Sequence, residues 1–528
     1  MAIVTSPHPS VPLTDQTITE RLFADLETRP DDEVLIDGPT GRVMTARGFM
    51  EGVRALAGGL AARGQGPGTV TALMAPNCPR FALAFHAILY AGGTVTTVNP
   101  TYKAEELNHQ LSDSGATLLI TIPAFLETAQ AGAEGTGVTE IVTIGPEDGW
   151  STDSAGEGAG STTALGALMG APLAAQVPVD VVSDIAVLPY SSGTTGLPKG
   201  VMLSHRNMVV NVDQFLASAD VQRGETTVAF LPFFHIYGLN VLMNAYLAGG
   251  ANLVTLPRFD LEQFLSLVAK HRTRQAYIAP PVALALAKHP LVDDYDVSCL
   301  ETLFSAAAPL GRDVAEAVGG RIGCLATQGW GMTEIAPIGT VSSPRAHRPG
   351  SVGQACSDTE VRIVDPETGE DVATGAEGEL WIRGPQVMLG YLHRPDATAE
   401  TVTEDGWLRS GDLASVDADG FVYIHDRLKE LIKVKGFQVA PAEIEAVLLT
   451  HDDVVDAAVV GRLDDEAGER PVAHVVLRAG AVPDAEALKA HVAAHLSSYK
   501  ALAEVHFTQA IPKSASGKIL RRMLRAHA

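Results

Sequence analysis

The chain has 528 residues, 46% of them apolar and 19% charged. A single hydrophobic core stops growing at about 250 to 300 residues, so this length calls for two or more domains. Acidic residues outnumber basic ones 62 to 38, a formal net charge of −24. The long-range field of such a chain repels phosphate backbones, which argues against nonspecific nucleic-acid binding and leaves anionic small molecules to local basic groups.

Four cysteines, Cys78, Cys299, Cys324 and Cys356, form no CxxC pair. Neither a disulfide framework nor a zinc site is expected, and buried free thiols in a reducing, cytoplasmic compartment are. The first residues show no positive stretch followed by an apolar one, so no signal peptide is expected. The most membrane-like run, residues 228–250, is interrupted by Pro232, His235, Asn240 and Asn244 and reads as the interior of a large domain, with no membrane partner.

In chain order, residues 18–125 alternate helix-like stretches with short β-type runs, the signature of a layered α/β domain with a largely parallel sheet. Residues 131–178 are rich in Gly, Ala, Ser and Thr and read as an exposed connection. A second α/β stretch covers 180–345, and a strand-rich stretch with turn signals (DPETGE, EDGW, DADG) covers 350–425. The last hundred residues form an α+β unit. Pro441 opens a helix with Ile444, Val447 and Leu448 on one face; two strands, a helix aligning Leu488, Val492 and Leu496, a strand VHF and a basic tail follow.

Residues 190–200 read YSSGTTGLPKG. Backbone N–H groups around Gly193 and Gly196, hydroxyls of Ser191, Ser192, Thr194 and Thr195, and the charge of Lys199 are suited to an anion. A Walker loop needs Ser or Thr after the lysine and then a helix. Here Gly200 and the strand-like VML follow, and the helix starts later behind a Ser204 cap. The loop therefore joins two strands and does not read as that of a kinase or GTPase. Downstream, Asp412 reads as a turn residue with Arg427 beside it, and Glu334 as a carboxylate of the hard-oxygen type.

Together YSSGTTGLPKG, FLPFFHIYGL (230–239), QGWGMTE (328–334), SGDL (410–413), DRLKELIKVKGFQVAPAEIE (426–445) and PKSASGK (512–518) resemble, in order, the motifs of the adenylate-forming superfamily of acyl-CoA ligases, luciferases and peptide-synthetase adenylation domains. The resemblance implies an α/β fold with a large N-terminal domain (1–428) of layered α/β subdomains plus a β-rich subdomain, then a small mobile α+β C-terminal domain (429–528). It implies ATP and Mg²⁺ as cofactors, with Gln328, Gly329, Trp330 (where the family has Tyr on the adenine), Thr333, Glu334, Asp412 and Arg427 on the nucleotide, Asp412 on the ribose hydroxyls and Glu334 on the Mg²⁺. By the same resemblance His235 is expected to gate the carboxylate pocket. Lys518 is expected to reach the acyl carboxylate and α-phosphate during adenylation, Lys429 to be the hinge, and Lys433 with Gln438 to replace Lys518 for thioester formation. Lys435 and Gly436 are expected to line the path of the thiol.

With no carrier-protein motif in view, coenzyme A is the expected acceptor, and Arg258 in LPRFD stands where plant-type 4-coumarate:CoA ligases carry a lysine near the cofactor's phosphates, which keeps the charge. VNPTYKAEELNHQLSDSGA, PFFHIYGLN, SAAAPLG and KGFQVAPAEIE most resemble plant-type 4-coumarate:CoA ligases. That likeness implies an acyl wall of Tyr237, Val241, Ala306, Ala307, Gly331, Pro337, Ile338 and Val341. Ala306 replaces a glycine there, Val241 a serine and Val341 a methionine, so cinnamate or 4-coumarate is expected over ring-methoxylated acids. A medium- or long-chain fatty acyl-CoA ligase, a luciferase-like enzyme and a non-catalytic nucleotide-binding protein stand as alternatives. Monomer and homodimer both stay open.

Overall fold

The computed structural model describes residues 3–145, 163–191, 198–435, 437–464, 467–514 and 517–525. Val70–Leu73, Thr94–Thr97, Ala116–Thr121 and Glu140–Thr143 pair in parallel, as the alternating pattern predicts. The helix Pro79–Tyr90 between the first two is buried at every position but Arg80, which is why it reads as apolar all round and not as a stripe. Ile185–Val187 joins beside Thr94–Thr97, and Lys199–Ser204 runs antiparallel to it. A second parallel sheet contains Glu33–Asp37, Asn252–Thr255 and Thr226–Ala229. A third places Gln275–Ile278, Thr302–Ser305 and Leu325–Gly331 in parallel and adds Ile338–Val341 antiparallel. The strand-rich stretch becomes an antiparallel sheet through Glu360–Val364, Gly378–Arg383, Leu408–Val416 and Val422–Arg427, with Val4–Thr5 from the N-terminus at its edge.

Two expectations need correction. Residues 131–178 are only partly a connection: the helix Leu126–Ala133 ends inside them, and Glu140–Thr143 and Thr163–Ala164 are strands of the main sheet. Leu165 and Leu168 just after are fully buried. Strands of two to four residues carry too little periodicity to stand out among small residues; residues 146–162 lie outside the described ones. All four cysteines are free, but only Cys78 and Cys356 are buried, whereas Cys299 and Cys324 are half-buried.

The apolar run 228–250 is interior, as read. Tyr237–Asn244 forms π-helical turns with every residue buried, and Asn244 Nδ2 donates to Asn240 Oδ1 at 2.9 Å. No described helix is long and apolar enough to cross a membrane.

The last hundred residues have cores of their own. Ile432, Ile444, Leu448, Val459, Val475, Leu488 and Val492 make one; Ala458, Val460, Val472, Ile511 and Leu524 make the other. The helix Pro441–Thr450 presents Ile444 and Leu448 to the first core, against the long hairpin Val454–Asp464 and Gly468–Leu477. The clusters of the large domain reach no further than Ile424.

Candidate active site

The motif 190–200 is a strand, loop and strand: Tyr190 pairs with Gly200 and Ser191 with Lys199. Ser204 then caps the helix His205–Ser218, its hydroxyl accepting from the Asn207 N–H while Asn207 Oδ1 accepts from the Ser204 N–H. Ser192, Gly193, Thr194, Thr195 and Gly196, expected on phosphate, lie outside the described residues, as does Gly436.

At the described end of the loop, Ser191 Oγ donates to Glu334 Oε1 at 3.0 Å, and the Tyr391 hydroxyl donates to the same oxygen at 2.8 Å. Glu334 is 6% exposed on the short turn Thr333–Ile335. Among the described residues none donates to its Oε2, which suits a hard cation. Those residues hold no cluster of three or more His, Cys, Asp or Glu side chains placed to bind a metal. A cation here would take most of its ligands from water and phosphate, the usual habit of Mg²⁺. Burial and the Glu334 charge push the Tyr391 phenol up, and Lys199 Nζ stands 4.7 Å from the centroid of the same ring, within cation–π range.

Asp412 lies opposite Arg427 across a β-hairpin, and Arg427 Nε is 3.3 Å from its Oδ1. Its other oxygen accepts from the Trp330 indole N–H at 2.8 Å. Trp330 is thus 7% exposed, with one ring face against Gly339, where a Cβ would stand 2.5 Å from the ring. A carboxylate offers about four lone-pair sites, so two donors leave Asp412 further accepting capacity. Gln328 is turned the other way, its Oε1 accepting from the Leu310 N–H at 2.9 Å, and Gly329 pairs with Val341 in the adjoining strand.

Lys518 comes into this same space from the small domain. Its N–H donates to Ser514 Oγ at 3.1 Å, and its carbonyl accepts from the Ser514 N–H at 2.8 Å. Its pKa is lowered to about 8, by burial first and then by the Arg427 charge, with Asp412, Glu430 and Glu334 opposing the shift. The lysine thus shares an electrostatic neighbourhood with residues distant in the sequence. His235 belongs to it too: burial, then the Lys518 charge, lowers its pKa to about 4. The Tyr237 N–H donates to His235 Nδ1 at 3.3 Å, so the neutral ring carries its proton on Nε2.

The residues expected to form an acyl wall come from four segments of the large domain. Tyr237 is buried with its hydroxyl donating to the Phe304 carbonyl at 3.3 Å, and Val241, Ala306, Ile338 and Val341 are all under 9% exposed. Gly331 is exposed with its backbone against the Pro337 carbonyl, and Ala307 is exposed in the left-handed region at φ 76°. Between the domains a cavity of about 640 Å³ is lined by Phe234, Arg258, Phe259, Lys513, Ser514 and Gly517 among others; Lys513 is ion-paired with Asp456 at 2.6 Å.

The structure does not bring the second set of small-domain residues to the cleft. Lys433 pairs with Gln438 across the hairpin Ile432–Val434 and Phe437–Val439, and Lys433, Lys435 and Gln438 are exposed. Lys429 sits in the turn just past Arg427, held where the Leu428 N–H donates to Gly411 and that of Glu430 to Arg427.

Three contributors escaped the sequence reading. Tyr391 joins Glu334 and Lys199, while Asn211 and Asn240 clamp the segment behind the acyl wall. Asn211 accepts from the Ile338 N–H and donates to its carbonyl, and Asn240 donates to Ala336 at 2.6 Å. Asparagines inside an apolar run are the one signal that could have found the last two, since buried amides must be bonded.

Known proteins show the same organisation. The AMP-binding enzyme family matches residues 22–392, and the AMP-binding enzyme C-terminal domain matches 443–518. A 4-coumarate–CoA ligase 5 of Oryza sativa subsp. japonica is 40% identical over 515 residues, 96% of this chain and 93% of that protein. A 4-coumarate–CoA ligase 1 of Petroselinum crispum is 39% identical over 523 residues, 96% and 92% of the two chains. The structure of the anthranilate CoA ligase AuaEII in complex with anthranoyl-AMP superposes with a TM-score of 0.88 at 25% identity, covering 98% of each chain. The chain belongs to the AMP-binding enzyme family and is an ATP-dependent acid:CoA ligase within it.

Proposed function

We propose that the acid is an aryl propenoic acid, cinnamate or 4-coumarate, and that two lysines of the small domain serve the two half-reactions in turn. The observation that supports this reading is Lys518, half-buried and within the electrostatic reach of Arg427, Asp412 and Glu334. In the first half-reaction a carboxylate oxygen of the acid attacks the α-phosphorus of ATP and the bond to pyrophosphate breaks. Lys518 neutralises charge developing on the phosphoryl oxygens, a preorganised contribution worth about 3 to 4 kcal/mol where a single donor has been removed from an enzyme. His235 Nε2–H faces the carboxylate as a neutral donor. The loop after Ser191 and Lys199 hold the leaving phosphates, Asp412 and Arg427 the ribose, and Trp330 the base. Glu334 would hold Mg²⁺, which supplies charge neutralisation across the phosphates when bound.

In the second half-reaction a turn about Lys429 exchanges Lys518 for Lys433 and Gln438. The thiol of coenzyme A attacks the acyl carbonyl, the acyl–phosphate bond breaks and AMP leaves. Arg258 and the inter-domain cavity suit the phosphates and arm of the cofactor, with Lys435 and Gly436 along the thiol's path. Tyr237, Ala306, Ala307, Gly331, Pro337 and Ile338 form the slot for a flat ring, and Val241 and Val341 close it against ring substituents. Four unpaired cysteines fit a cytosolic setting.

Pyrophosphate release measured with cinnamate, 4-coumarate, a dimethoxylated cinnamate, benzoate and octanoate, with and without coenzyme A, tests the assignment. Fastest thioester formation with cinnamate or 4-coumarate is expected. Fastest turnover of octanoate or of the dimethoxylated acid would overturn it.

A further inference from the structure

The large domain grips the small one at both ends of a single helix, Pro280–Lys288. At its C-terminal end Lys288 Nζ donates to the carbonyls of Leu449 and Val454 at 3.1 and 3.0 Å. Leu449 is in the last turn of the helix Pro441–Thr450, where carbonyls have no partner within the helix and the dipole favours a cation. Burial lowers the Lys288 pKa, and the charge of Asp452, two residues past that helix, opposes the shift. At the other end, Gly517 lies on the helix start. A Cβ there would be a tight 3.2 Å from Ala279 and in ordinary contact with Pro281 at 3.5 Å, and its φ of +85° is one that side chains rarely adopt.

Nine residues of helix span about 13 Å, so one rigid segment fixes both the lysine-bearing loop and a point well away from it on the small domain. Asp426, three residues before the proposed hinge, also accepts from the Ala442 N–H. A turn of the small domain away from Pro280–Lys288 would part Lys288 from Leu449 and Val454.

We infer that Pro280–Lys288 is a dock that sets the reach of Lys518, with Lys288 as a positioning residue for adenylation. The inference rests on the proposed alternation of Lys518 and Lys433 and deepens it: the dock holds one of the two orientations and has no part in the other. Lys288 touches neither the reacting groups nor the nucleotide residues, so its loss acts through domain placement alone.

The test compares Lys288→Ala and Lys288→Arg in two assays, acid-dependent ATP–pyrophosphate exchange and thioester formation from supplied acyl adenylate. Lys288→Ala should lower kcat of exchange about tenfold, about 1.4 kcal/mol, with KM for ATP and acid unchanged within about twofold. Thioester formation should hold or quicken, and Lys288→Arg should keep most of the exchange. Equal losses in both assays, or no loss of exchange, overturn the dock. Lys518→Ala measured alongside separates the two levels: if it loses exchange selectively and Lys288→Ala does not, the dock alone fails. If Lys518→Ala retains exchange, the chemistry assigned to Lys518 fails and the dock with it.

Discussion

The two halves of the cleft are built from different materials. The half proposed for the nucleotide is a set of charged and polar contacts between distant segments: Ser191 and Tyr391 on Glu334, Trp330 and Arg427 on Asp412, with the charge of Lys518 felt from the small domain. The half proposed for the acyl group is mostly apolar side chains, with Asn211 and Asn240 fastening the backbone at Ala336 and Ile338. Charges act over distance and titrate, so the first half should answer to pH and to the position of the small domain. Volume acts only at contact, so the second half should answer to methyl-sized changes and to little else.

The larger of two effects that separate the halves is pH dependence. In the proposed chemistry Lys518 acts as an ammonium, and burial, then the Arg427 charge, brings its pKa from the usual 10.5 to about 8. The charged form is therefore lost as pH rises, and kcat/KM for exchange should fall tenfold per unit above about 8. His235, at about 4, is already neutral and adds no break near pH 7. Lys518→Arg should remove the alkaline fall, because guanidinium stays charged. A profile flat to pH 10 would contradict the role of the cation. The smaller effect is in the pocket. Ala306→Gly should raise kcat/KM for a dimethoxylated cinnamate relative to 4-coumarate by several-fold, up to about tenfold, as expected for one methyl group in an apolar slot. That ratio should be independent of pH, and an unchanged ratio would remove Ala306 from the specificity wall.

Much of the nucleotide half was legible because its parts sit in short motifs. Ser204 as a cap and Pro441 at a helix start are local readings, and the structure has both as read; Asp412 is beside Arg427 as read, but within the strand Leu408–Val416 and not in a turn, because its segment pairs with Val422–Arg427. The ties between motifs were not legible. Trp330 and Asp412 are 82 positions apart, and Tyr391 meets Glu334 across 57; no periodicity encodes such pairs, which exist only once the sheets have packed. Lys288 is the extreme case. Alone it is one exposed lysine at a helix end, and its partners are backbone carbonyls 161 and 166 residues further on, invisible in any side-chain pattern. The strands within 131–178 were missed for the opposite reason, being too short to leave a pattern.

The central claim is that one active site is completed by two different lysines of the same small domain. Lys518→Ala and Lys433→Ala, each assayed for ATP–pyrophosphate exchange and for thioester formation from supplied acyl adenylate, test it most directly. Lys518→Ala should lose exchange by about 10² to 10³ and keep thioester formation, and Lys433→Ala should do the reverse, on the scale of removing one preorganised charge donor. Equal loss in both half-reactions for both variants would contradict the account.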